Sequence, residues 1–515
     1  MSAPDALGDF AARGLAVVTG LFGWFYLLSV FGFLVVLLSL AFSKYGSIRL
    51  GPQDAEHEFG FFSWISMLLA AGFGVGLVFY GVAEPMSHFA EPPYGDREPG
   101  TIAAAVYALQ YSFFNWGVHQ WAAFSIVGLI IGYYQFRRGR SGLVSSVLGP
   151  VLSYLPFSRL LGYAVDILAV VATVMGVATS LGLGVLQMSS GVALETGIPN
   201  TFWMHSAILF LMFLAYIVST WFGLEKGIRR LSNINMILCL ALMAYVLFAG
   251  STLTILEAIT NGIGGYLQEF VRMSLRTTPF TPDEWASTWT IFYWAWVIAW
   301  SPFVGTFVAR ISRGRTIRQY VFGVLLMPAL LACLWIGIFG GAALDMELNR
   351  DVGLAAATQA DITSALFFMF DNMAFSGALS AAALLLIFIF LVTSADSASF
   401  ILAQMSSGGD LHPPVFKRVL WGVLIALICF TLLVAGGLNA LQSASVLAAL
   451  PFIFVLYAMI FVLLKELSDD HREMLQELYE RHDETPVGAN VYEAQQLNAE
   501  NESSDEPSQA KAAED

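Results

Sequence analysis

Charge is scarce in this sequence. Only 12% of its 515 residues are Asp, Glu, Lys or Arg, against 57% hydrophobic ones. Soluble domains carry about a quarter charged residues, so a water-soluble enzyme or scaffold is excluded. Cysteine is scarcer still. Cys239, Cys333 and Cys429 each sit inside an apolar run with no metal or redox spacing, and read as small core residues rather than a disulfide framework. Paired intramembrane carboxylates, metal clusters and nucleophile–base sets are lacking, so neither an enzyme nor a cofactor is expected. No cleavable signal peptide is expected, because the first apolar stretch, 15–43, is too long and has no cleavage pattern. With a net charge of −14, no nucleic-acid partner is expected.

What the sequence has in abundance is long apolar runs, and a mean hydropathy of +0.70. Runs of about twenty such residues are long enough to cross a bilayer. Eleven spans are expected: 15–43, 60–82, 103–135, 160–191, 200–223, 235–258, 285–309, 319–344, 376–404, 419–436 and 443–464. Basic residues check the count, since cytoplasmic loops collect them. With the N-terminus outside, nineteen of the 24 fall inside, and only Arg13, Arg97, Arg272, Arg276 and Arg350 fall outside. None lies within a span. The expected topology is N-terminus out, C-terminus in. Residues 142–158 read as an inside loop with a short helix, 259–278 as an amphipathic helix on the outer surface, and 361–375 as a short outer cap. Beyond Leu464 the chain turns acidic and polar, which predicts a short helix through 466–482 and then disorder.

Helices two to six and seven to eleven form two groups of five with opposite orientation. Each group opens on an interruption: Gly72-Phe73-Gly74-Val75-Gly76 in one, Ser301-Pro302 in the other. Corresponding interrupted segments in two halves point to a transporter's midplane binding site. Unwound backbone there offers carbonyls to a cation and amides to an anion; close helix packing is the competing reading of the glycines. In "FLVTSADSAS", Thr393 and Ser394 offer adjacent hydroxyls to a hard cation such as Na+, or back-bond to their own helix. Asp396 is an ionisable group near the inner end of a span. Trp116, Trp121 and Phe124 share one broad helix face, and the seventh helix adds Trp294, Trp296 and Trp300. Such faces hold quaternary ammonium by cation–π attraction, although an interfacial belt also suits Trp294. His119 is either a proton relay or a structural histidine. The basic run 309–320 is expected on lipid headgroups or the acidic tail.

These stretches together resemble the betaine/choline/carnitine transporter (BCCT) family. The resemblance rests on "SKYGSIRLG" (43–51), "SWISMLLAAGFGVGLVFYGVAEP" (63–85), "ATSLGLGVLQ" (178–187), "GIRRLSNINM" (227–236), "TIFYWAWVIAWSPFVGTFVARISRGRTIRQ" (290–319) and "VTSADSAS" (392–399), covering about 43–468. It implies an all-α polytopic membrane protein of the leucine-transporter type, with two inverted five-helix repeats and a homotrimeric assembly in the bacterial cytoplasmic (inner) membrane. The corresponding parts are an N-terminal segment with one peripheral helix (1–59), a first repeat (60–258), a surface helix (259–284), a second repeat (285–464) and a tail (465–515). The family usually has twelve spans, and this chain starts at the second.

The implied function is Na+-coupled symport of a betaine-type zwitterion: glycine betaine, choline or carnitine. Alternatives are a smaller zwitterion or sulfonium compound (taurine, dimethylsulfoniopropionate) and a transport-dead sensor. Carried over by position, Na+ is held by the backbone of Ala70, Phe73 and Phe390 and the hydroxyls of Thr393 and Ser394. A weaker second site has Thr173 and Phe303 but Val177 where the family has a threonine. Substrate is held by Gly72, Phe73, Gly74, Trp116, Trp121, Phe124, Val297 and Trp300, with Phe124 in place of a usual tyrosine and Val297 in place of a usual tryptophan. The acidic tail departs from the long basic tail of osmosensing members.

Overall fold

Hydrocarbon offers no partner to a backbone N–H or C=O, so apolar runs of this length fold as helices. The computed structural model describes residues 3–72, 74–222, 225–281 and 284–481. Among the described residues there are α-helices, short 3-10 and π turns and a single β-bridge, Arg49–Thr316. The protein is an all-α polytopic membrane protein.

After α1 (Ala3–Phe42), the second expected span is broken into α2 (Phe61–Gly72) and α3 (Val75–Ala90), and the third into α4 (Ile102–Trp116) and α5 (Val118–Gly132). The inner loop holds α6 (Val144–Leu152). Next come α7 (Ser158–Thr196), α8 (Phe202–Phe222) and α9 (Glu225–Ala249). The expected surface helix starts earlier than 259, as α10 (Thr252–Gln268) and α11 (Phe270–Ser274), and turns from α9 by 110°. Then follow α12 (Phe292–Ile311), α13 (Ile317–Arg350), the short pair α14 (Leu354–Ala360) and α15 (Ala365–Asp371), and α16 (Ser376–Met405). The last two expected spans form α17 (Val415–Arg481), which is non-helical at Gly436 and Gly437. The compact body ends at Ile460; the disorder expected in the tail falls beyond Arg481, outside the described residues.

By length and composition, seven helices among the described residues can cross a membrane, or eight if the bent pair 233–249 and 252–268 counts as one span. The expected eleven are not reached by single helices. Two expected spans are divided into halves of 12 to 16 residues, and two others are joined in α17.

The apolar face expected over 259–278 packs on protein. Ile255, Ile259, Gly262 and Tyr266 of α10 are buried against α4 and α13, whereas Leu267 is exposed. Trp294 is no belt residue: it is fully buried, stacked on His119 at 5.5 Å. Part of the basic run 309–320 is held by protein, while Arg310 and Arg313 are exposed. Arg315 donates to the Phe59 carbonyl at 2.6 Å and lies over the Trp64 ring, Trp64 donates to Ser312 at 3.0 Å, and Arg318 donates to the Ala41 carbonyl at 2.8 Å. The three cysteines are free and buried.

The site is organised around α12, of whose apolar window 83% is buried, packed on α5 and α7. Gly176 allows a close approach of α7 to α12. A Cβ there would lie 3.0 Å from the Trp300 backbone nitrogen, so only glycine lets α7 meet the α12 backbone at that point.

A candidate cation and substrate site at a broken helix

The break between α2 and α3 is where the glycine-rich stretch places it. A helix leaves its last four carbonyls and its first four N–H groups without intrahelical partners. The carbonyl of Ala70 is among the former, in the turn of α2 that Gly72 ends, and the N–H groups of the first turn of α3 face the opposite way. Phe73 lies outside the described residues. Gly74 is extended (φ −114°, ψ 172°), a conformation open to any residue, and a Cβ there would make ordinary 3.7 Å contact with Trp300. Gly76 is different. A Cβ on it would meet Trp116 at 3.0 Å and overlap the Trp296 ring. Packing and unwinding were competing readings of these glycines; an extended backbone describes Gly74, and close packing describes Gly76.

The second expected interruption is absent. α12 runs unbroken through Ser301-Pro302. Pro302 cannot donate to the Ile298 carbonyl four residues back, but the Ser301 hydroxyl donates to it at 2.7 Å and keeps that turn satisfied. A break that was not expected falls at Gly117 instead. A Cβ there would crowd the Phe113 carbonyl at 2.5 Å and the Tyr266 hydroxyl at 2.7 Å, and its extended ψ of −151° ends α4.

Around the α2–α3 break the aromatic rings form a continuous wall. Trp116 meets Trp296 edge to face at 6.5 Å, Trp296 stacks on Trp300 at 6.4 Å, Trp300 meets Phe124 at 6.0 Å and Phe124 meets Trp121 at 5.4 Å. Phe303 continues it 5.7 Å from Trp300, while Tyr293 and Tyr80 flank Trp116 at 5.2 and 5.9 Å. The expected aromatics of α4, α5 and α12 are thus brought together, and Val297 is buried beside them on α12. Tyr80 and Tyr293 were not among the expected site residues, and Trp296 was expected only as part of the aromatic face of this helix. The four-residue spacing of Trp296 and Trp300, which puts both on one helix face, was the available signal.

Behind the wall lies Glu84, fully buried because α3 continues past residue 82 to Ala90. Its carboxylate accepts from the Trp116 indole at 2.6 Å, from the Asn115 amide at 2.8 Å and from His88 at 3.2 Å. His119 is structural: its ring nitrogens meet Ser274 at 2.7 Å and Tyr266 at 3.4 Å. Asp396 is likewise absorbed, accepting from Ser219 at 3.0 Å and from Thr220, which ties α16 to α8.

The expected cation ligands of α16 are half-buried. Thr393 back-bonds to the Ile389 and Phe390 carbonyls at 2.9 and 3.1 Å, leaving its oxygen lone pairs next to the Phe390 carbonyl. Gly184 of α7 brings this segment close to the break, since a Cβ there would overlap the Leu391 side chain and lie 3.0 Å from Val75. Of the weaker set, Thr173 back-bonds to the Ala169 carbonyl at 2.8 Å, and Phe303 is buried on α12, which packs on α7. Val177 is buried and has no oxygen to offer. Among the described residues no group of three or more His, Cys, Asp or Glu side chains could hold a metal ion.

Towards the end of the box marked by His88, Tyr94 and Trp285, rings lead to a charged pair in the loops. Arg276 donates to both Asp96 oxygens, at 2.5 and 2.8 Å, and lies over the Tyr94 ring at 3.9 Å. Hydrogen bonds from Arg276 hold the Asp96 carboxyl down to about 2, against partial burial pushing the other way. A depressed carboxyl contributes stability above its unfolded value near 4 and loses it as pH falls towards 2. Asp96→Asn should therefore lower the melting temperature by a margin that is constant from pH 5 to 9 and shrinks below about pH 4. Thermal melts across that range check it; a margin that changes between pH 6 and 8 would contradict it.

Sequence comparison decides the family. The chain matches, over residues 1–472, the family described as "BCCT, betaine/carnitine/choline family transporter". This chain belongs to the BCCT family. BCCT relatives include the ectoine/hydroxyectoine transporter of Virgibacillus pantothenticus, 47% identical over 92% of this chain and 94% of its own length. The glycine betaine transporter OpuD of Bacillus subtilis (strain 168) is 45% identical over 92% and 91%. The glycine betaine transporter of Acinetobacter baylyi is 38% identical over 92% and 71%. As a BCCT protein the chain is a multi-pass membrane transporter and not an enzyme.

Proposed function

We propose that this BCCT chain is a Na+-coupled symporter that imports a small zwitterion with a cationic head, of the glycine betaine or ectoine type. The observation that carries this reading is the ring wall Trp116–Trp296–Trp300–Phe124–Trp121 beside a broken helix. Ring faces attract a desolvated ammonium by about 2 kcal/mol or more. A zwitterion also brings a carboxylate, and two features would receive it: the free N–H groups of α3, favoured by the helix dipole, and the Trp300 indole N–H, buried without a partner. Na+ takes the carbonyls of Ala70, Phe73 and Phe390 with the hydroxyls of Thr393 and Ser394, and one ion is expected because Val177 spoils the second set. The protein works in the bacterial inner membrane as a homotrimer surrounded by lipid, N-terminus out and C-terminus in, its two inverted repeats rocking about the site. Uptake into proteoliposomes across a panel of glycine betaine, ectoine, choline, carnitine, taurine and dimethylsulfoniopropionate tests the substrate class. Transport of none of these would end this reading.

Val297 decides between the two best candidates. A valine where the resemblance leads one to expect an indole leaves room for a ring-shaped solute, and a relative of 47% identity is an ectoine/hydroxyectoine transporter. Val297→Trp should tighten glycine betaine binding by about tenfold if betaine is the native solute. It should instead block ectoine uptake by filling the space if ectoine is. Affinities in wild type and variant separate the cases, and no change for either solute would remove residue 297 from the site.

A further inference from the structure

We propose that Glu84 is a buried counter-charge for the cationic head of the substrate, acting through the Trp116 indole as a positioning residue for the box. The inference rests on the reading of the substrate as a cation-headed zwitterion.

Trp116 Nε1–H is an obligate donor, and it reaches Glu84 Oε2 at 2.6 Å. The Asn115 amide presents its NH2 group to Oε1 at 2.8 Å, because the Thr290 hydroxyl donates to the amide oxygen at 2.8 Å and fixes its orientation. Both carboxyl oxygens thus face donors, an arrangement that suits a carboxylate.

His88 faces the same carboxyl, with Nε2 3.2 Å from Oε1 and Nδ1 buried without a partner. Among the described residues no Lys or Arg pairs with Glu84. The cationic head of a substrate would bring the site a positive charge that no Lys or Arg supplies, and a buried carboxyl gains from such a partner.

Trp116 carries the charge of the carboxylate into the box. A carboxylate on its N–H pushes electron density onto the ring that meets Tyr293, Tyr80 and Trp296, and a richer ring face binds a cation more strongly. The consequence is specific: Glu84 contributes to binding the charge of the head, not its shape.

Glycine betaine and its carbon isostere 3,3-dimethylbutanoate differ only in that charge. Calorimetric titration of both into purified wild type and Glu84→Gln is the test. The variant should weaken betaine by about tenfold or more, as expected for losing one charge within a few ring widths of the head, and leave the isostere within twofold. Equal losses for both ligands would make Glu84 merely structural, and unchanged betaine affinity would also overturn the proposal. Failure of wild type to prefer betaine over the isostere would instead sink the cation-headed reading and this inference with it. If Glu84→Gln does not fold, the wild type carries the test. Of the 13 indole protons, that of Trp116, assigned by its loss in Trp116→Phe, should resonate downfield of the others and shift when betaine is added. An unshifted signal would overturn the proposal.

Discussion

Replacing Thr393 and Ser394 together by alanine should abolish Na+-driven uptake while the protein still folds. The two hydroxyls are half-buried on α16, and neither holds one helix to another; Thr393 bonds only to its own preceding turn. Their removal costs the fold little. It costs the cation two of five proposed oxygens, each worth about 1.5–3 kcal/mol to a charge, so Na+ affinity should fall by about a hundredfold or more. The back-bond does not argue against the role, because a hydroxyl that donates to a carbonyl still has lone pairs for a cation. Uptake against Na+ concentration in proteoliposomes is the check. Unchanged Na+ dependence in a folded double variant would remove these residues from the ion site.

The second large effect is expected at Gly76, and the sequence offers its own control two residues away. Gly76→Ala puts a methyl into the space shared by two indoles, and neither can retreat. Trp116 is held by its bond to Glu84 at 2.6 Å, and Trp296 by bonds to the Gly176 carbonyl and the Ser180 hydroxyl, both at 3.2 Å. Overpacking of this kind costs about 1–3 kcal/mol and would spread the box, so substrate affinity should drop by up to about a hundredfold. Gly74→Ala meets only a 3.7 Å contact in an extended conformation, and the change should stay within about fivefold, the usual cost of alanine at an N-cap. If both variants behave alike, the glycines serve backbone freedom alone and the packing role of Gly76 is wrong.

These cases show how far the sequence could be read. Long apolar runs and their flanking basic residues gave the helices, because hydrocarbon leaves the backbone no alternative. The division between α2 and α3 was legible because glycines concentrate there. The continuity of α12 was not, since it depends on Ser301 replacing the donor that Pro302 lacks, a local exchange that Ser-Pro does not announce. The break at Gly117 was hidden in the same way, because what requires glycine there is the close Tyr266 hydroxyl, 149 residues further along the chain. Glu84 escaped because the apolar pattern fades before the helix ends. Its partners, Asn115 and Trp116, lie on another helix and make its burial affordable. Composition placed Trp294 at an interface, while packing made it core.

The central claim is that a Na+ gradient drives a cation-headed zwitterion through the site at the broken helix. Proteoliposomes loaded with K+ buffer and diluted into Na+ or K+ medium, with membrane potential and pH clamped, isolate that driving force. The account predicts concentrative uptake of glycine betaine or ectoine from Na+ medium and none from K+ medium. Equal accumulation in K+ medium, or accumulation that follows an imposed pH gradient without Na+, would contradict it.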